Sequence, residues 1–139
     1  MNKSNKSKII AEVAVSIGII LYLSKFTRST IFQNESALFI LGFLPNFGMA
    51  FAIPFIYVSH QLRKGIHVKY FSMSCALTIL LMILNEIKDK YQAGRTYDVL
   101  DIYASVAGVA VAYALFRFFF KKTIQDRNTS ILLINRRNS

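Results

Sequence analysis

Apolar residues along this 139-residue chain gather in four blocks, without the stripe of a soluble amphipathic helix or the alternation of a strand. The first runs from about Ile9 to Leu23 between Lys8 and Lys25. It is short for a hydrocarbon core of about 30 Å, and snorkelling of the flanking lysines with extension toward Phe26 makes up the length. The second block covers about 37–59. The third holds no charge from Tyr70 to Leu84, and the fourth holds none from Ile102 to Phe116 before closing on Lys121-Lys122. The pattern predicts an all-α membrane protein with four transmembrane helices at about 9–26, 37–59, 69–89 and 99–120. They form one domain, 9–120, between a basic segment 1–8 and a basic tail 121–139.

Details within the blocks refine this picture. Lys3, Lys6 and Lys8 ahead of an apolar run resemble a signal peptide, but Glu12 interrupts the run and no small-x-small site follows, so an uncleaved signal anchor is expected. Pro45 and Pro54 lie in the second block and predict a bent helix, with Leu44-Pro45-Asn46-Phe47 starting it or breaking its first turn. In the fourth block Ala104, Ser105, Ala107, Gly108, Ala110 and Ala112 provide a small-residue face suited to close helix packing. The tail is polar and basic apart from Ile131-Leu132-Leu133-Ile134, far too short to span, and reads as a weakly ordered segment on an anionic leaflet or a docking motif.

Composition agrees with the blocks. The chain is 54% hydrophobic and 17% charged, against roughly 25% charged in ordinary soluble domains, and its mean hydropathy is +0.41. The net charge of +10 raises nucleic acid as a partner. The basic residues instead flank the apolar blocks, as topology signals and headgroup contacts do, so membrane lipids are the expected partners and nucleic acid is not. Of the 17 Lys and Arg, twelve lie in the N-terminus, second connection and C-terminal end, and five in the first and third connections. The positive-inside rule then makes both termini cytoplasmic, and a bacterial cytoplasmic (inner) membrane is the expected location. Cys75 is the one cysteine, which excludes an intrachain disulfide or a Cys-based zinc site and fits a small packed side chain.

The densest polar stretch, Asn85 to Asp101, interrupts the apolar sequence between the third and fourth blocks and carries four of the seven acidic residues. Glu86 and Lys90 are four apart and can pair on one helix face. Gly94 suits a helix stop. Asp98 then sits at an N-cap position with Asp101 three residues on, both at the positive end of the helix dipole, and Ser105 and Gly108 continue the Asp101 face. Two readings stand. Arg95 could bridge Glu86 to Asp98 or Asp101 as a staple, or these residues with Ser105 could form a polar pocket at the outer bilayer surface. An arginine fork suits a phosphate or carboxylate, and facing carboxylates suit general-base work or a cation. The residues identify no nucleophile, so whether the site is catalytic stays open. No cofactor is implied. His60 and His67 fall on the opposite side, so no metal site shared with the acids is expected. Glu12, one turn past Lys8, is expected to snorkel to the cytoplasmic face, with pairing to Arg63 as the alternative.

At these residues the sequence resembles the VanZ-like family of small bacterial membrane proteins. Glu86, then Gly94-Arg95-Thr96-Tyr97-Asp98-Val99-Leu100-Asp101, then Gly108 match its order and spacing, and Leu44-Pro45-Asn46-Phe47 is similar to members of the wider group. Asp89 stands where the family tends to have Gln, and Ser105 where Asn is usual. The resemblance covers roughly residues 37–120. It implies a four- or five-helix membrane fold, typified by a protein linked to resistance to the lipoglycopeptide teicoplanin, and supplies no reaction. The expectation is a cell-envelope protein whose outward pocket of Glu86, Arg95, Asp98, Asp101 and Ser105 binds or modifies a lipid-linked or cell-wall component. The alternative is a structural or accessory subunit, packed through its fourth helix against a membrane-protein partner or another copy. A small channel or transporter comes last, because few ionisable groups lie at mid-membrane.

Overall fold

The computed structural model describes residues 3–31, 35–66, 68–91 and 98–137, with side chains over 5–26, 42–66, 68–91 and 98–120. Four helices follow in order: α1 (Lys3–Ile31), α2 (Glu35–Arg63), α3 (Phe71–Lys90) and α4 (Val99–Arg137). Among the described residues there is no strand. Each helix contains a stretch of 20 or 22 residues long and apolar enough to cross a membrane: Asn5–Phe26, Gly42–Arg63, Phe71–Lys90 and Val99–Phe120. At 1.5 Å per residue these are roughly 30–33 Å long, the thickness of a hydrocarbon core.

The helix ends run further than the apolar blocks. α1 takes in the basic start of the chain, and α4 continues past Lys121-Lys122 to Arg137, 39 residues in all. Charged side chains end an apolar block without ending a helix, since Lys, Arg and Glu are good helix formers. α2 stops where backbone chemistry stops it. Gly65 takes φ 71°, its N–H bonds Leu62 O, and the Ile66 N–H bonds Gln61 O, which together make a Schellman motif. The second apolar block ends earlier, near Ser59; Gly65 was the signal for the true end.

Leu44-Pro45-Asn46-Phe47 neither starts α2 nor interrupts it. The helix begins at Glu35 and runs unbroken through Pro45 and Pro54, both buried. Its neighbours explain this continuity. α2 touches each of the other three helices, and packing against three neighbours holds a helix through the hydrogen bonds that proline deletes.

α1 and α2 run antiparallel in close contact. A Cβ built on Gly18 would lie 2.5 Å from Ala52 Cβ and 2.7 Å from the Gly48 carbonyl oxygen, so glycine is what permits the crossing. Gly108 of α4 meets the Phe47 carbonyl in the same way. The expected small-residue face of α4 is thus turned inward onto α2: Ala104, Ser105, Gly108 and Ala112 are buried, whereas Ala107 is half-buried and Ala110 exposed.

An aromatic column links the layers. Phe47, Phe51 and Phe55 follow one another along α2, and Phe55 meets Phe71 at 6.0 Å between centroids. Phe71 stacks on Phe116 at 3.8 Å, and Phe116 on Phe120 at 5.1 Å. These contacts gather the start of α3, the apolar end of α4 and the later half of α2 at one end of the bundle. The end of α3 and the start of α4 therefore lie at the other. The outward faces stay apolar, with Ile20, Phe26, Leu77, Leu81 and Phe118 all exposed.

Candidate functional site

The end of α3 and the start of α4 bring the acidic residues together. Glu86 occupies the last-but-one turn of α3 and is 5% exposed, a rare state for a carboxylate. It turns inward, while Lys90, four residues on, is exposed; among the described residues no ion pair joins the two, and the pairing their spacing allowed is not formed. The electrostatic neighbours of Glu86 are Asp101 first, then Asp89 and Asp98, and the Asp98 backbone N–H is aimed at its carboxylate. Among the described residues, the one backbone amide that faces this inward carboxylate is that of Asp98, since the Leu100 and Asp101 amides bond Asp98 itself.

Asp98 builds that start. Its Oδ1 accepts a hydrogen bond from the Leu100 N–H at 2.9 Å, and its carbonyl accepts one from the Asp101 N–H at 3.2 Å. This is an N-cap, as the spacing of the two acids predicts. Asp101 follows in the first turn of α4, half-buried. One turn on, Ser105 is 3% exposed, and its hydroxyl donates to the Asp101 carbonyl at 2.8 Å. That bond uses the Ser105 proton and leaves only its lone pairs for another group.

Of the residues expected in the pocket, Glu86, Asp98, Asp101 and Ser105 fall together where α3 and α4 meet. Arg95 and Gly94 lie outside the described residues, and so does His67. Among the described residues no three His, Cys, Asp or Glu side chains converge as a metal-ligand set. Cys75 is buried on α3, just over three turns from Glu86, and takes no part. Among the described residues the side-chain chemistry is anionic, carboxylates set beside the backbone N–H groups of a helix start, a set able to hold a hydrogen-bond donor or an amine, or to shuttle a proton.

A second polar place forms at the opposite end, between α1 and α2. Arg63 Nε and Nη2 both donate to Glu12 Oε1, at 3.1 and 2.9 Å. Glu12 is therefore paired and does not simply snorkel alone, although both side chains keep much of their surface exposed, 46% for Glu12 and 68% for Arg63. An exposed pair of this kind contributes on the order of 0–1 kcal/mol. Ser16, Ser59 and His60 lie beside it around a cleft that the block pattern does not reveal. The available hint was local: Glu12 and Ser16 share one face of α1, and His60 and Arg63 one face of α2.

Compared with protein-family models, with curated proteins and with solved structures, the chain has no match in any of the three.

Proposed function

We propose that the chain is a multi-pass membrane protein of VanZ-like type in the bacterial cytoplasmic membrane, with the acidic site facing outward. In this reading Glu86, Arg95, Asp98 and Asp101, with Ser105 beneath them, bind or modify a lipid-linked or cell-wall component. The observation that carries it is the burial of Glu86 within electrostatic reach of Asp98 and Asp101. A carboxylate at the end of an apolar helix has water within one turn, and a residue without a partner inside the bundle would point there. Glu86 points the other way, into a group of acids.

The orientation rests on the distribution of Lys and Arg, and the family on the ordered match from Glu86 to Gly108. A membrane setting is supported by four helices of spanning length whose outer faces are apolar, with less than half of each spanning stretch buried inside the bundle. The accessory-subunit reading relied on the small face of α4; Gly108 at its centre meets α2 within the chain, and Ala110 on that face is exposed.

The test is genetic and quantitative. Alanine at Arg95 or at Asp101 is expected to abolish the envelope phenotype of the gene while the protein's abundance in membranes stays at the wild-type level. Wild-type behaviour from both variants at normal abundance would overturn the reading.

A further inference from the structure

The cleft between α1 and α2, ≈ 530 Å³ in volume, has a polar mouth and an apolar floor. At the mouth stand Glu12, His60 and Arg63. Val15 and Ser16 on α1 and Ile56 on α2 line it further along the helices, toward the middle of the spanning stretches, and Ile56 is exposed. Glu12 lies four residues past Lys8, about 6 Å along α1, and Arg63 is the last residue of α2. In a membrane this is the depth at which headgroups give way to acyl chains.

The ion pair is built so that each partner keeps an unused edge. Arg63 directs Nε and Nη2 to a single oxygen of Glu12. Among the described residues no protein group bonds Arg63 Nη1, Glu12 Oε2 or the His60 ring. The cleft thus offers a cation donor and an anion acceptor side by side, with an imidazole next to the cation and an apolar track leading inward. The complementary ligand has an anion and a cation a few bonds apart and carries an apolar tail.

We infer that this cleft binds a zwitterionic phospholipid of the phosphoethanolamine class. Its phosphate sits on Arg63 Nη1 and His60, its ammonium on Glu12 Oε2, and one acyl chain lies along Val15 and Ile56. A guanidinium edge is well matched to phosphate oxygens, and an ammonium supplies the charged donor that the second carboxylate oxygen lacks. The inference rests on the membrane-spanning reading of the chain and is independent of the acidic site at the other end.

The test uses the full chain, purified in detergent and stripped of lipid. Native mass spectrometry then follows its titration with dioleoyl phosphatidylethanolamine, dioleoyl phosphatidylglycerol and dioleoylglycerol, and inorganic phosphate serves as competitor. Phosphatidylethanolamine is expected to bind about tenfold or more tighter than dioleoylglycerol, with Arg63→Ala removing that advantage. Glu12→Gln is expected to reduce phosphatidylethanolamine to the level of phosphatidylglycerol. Ile56→Trp fills the groove while leaving the ion pair in place, and it should also lose binding; it decides the matter if Arg63→Ala does not fold. Equal binding of dioleoylglycerol, wild-type affinity in both Arg63→Ala and Ile56→Trp, or full displacement by millimolar inorganic phosphate would each overturn the inference. Normal lipid binding in Asp101→Ala with its envelope phenotype lost keeps the two sites separate, so either can fail without the other.

Discussion

Asp98 shows how far a single side chain can be read from its neighbours in sequence. An acid followed by a second acid three residues later, just ahead of an apolar run, specifies a helix start through local hydrogen bonds alone, and the Leu100 N–H does bond Asp98 Oδ1. Asp98→Ala is expected to lower stability by about 1 kcal/mol, the usual worth of an N-cap. Thermal unfolding in detergent checks it, and Asp98→Asn should restore most of the loss. Glu12 marks the opposite case. Lys8 one turn away argued for snorkelling, but its partner is Arg63, 51 residues on. No local rule carries a pairing across that distance; it depends on how α1 is laid against α2. Glu86 stands between the two: its position at a helix end was legible, while its inward turn is a tertiary fact.

Helices were legible in number and order because each needs an uninterrupted apolar stretch, and that stretch is written directly in the residues. Their ends were not, because charged residues continue a helix as readily as apolar ones. Only a backbone device such as Gly65, with its positive φ, stops α2 cleanly. Proline misled for a related reason: Pro45 costs one hydrogen bond locally, and the three helices packed around α2 keep it continuous. The small face of α4 was legible as a packing surface, though not which helix it meets. Its centre is Gly108 against the Phe47 carbonyl, a backbone atom that cannot move aside. Gly108→Val is therefore expected to destabilise the bundle by about 1–3 kcal/mol or more, read as a lower unfolding midpoint in detergent. The same change at Ala110, exposed on the far side of α4, should have an effect within about 0.5 kcal/mol.

At the scale of the whole molecule, the bundle has an apolar wall and two polar ends of different character. One end joins Glu86, Asp98 and Asp101 at a helix start; the other presents the Glu12–Arg63 pair beside an open cleft. Composition made the wall legible, since the 54% hydrophobic residues gather in four blocks, each giving a helix long and apolar enough to cross a membrane. The proposal that the acidic end holds a guest is tested most directly by lipid and metabolite analysis of protein purified from its native membrane. Wild type, Arg95→Ala and Arg63→Ala are to be compared side by side. The account predicts a co-purifying lipid-linked or cell-wall species that is lost from Arg95→Ala and retained by Arg63→Ala. An identical set of bound species in wild type and Arg95→Ala would contradict it and leave Arg95 as a staple between α3 and α4.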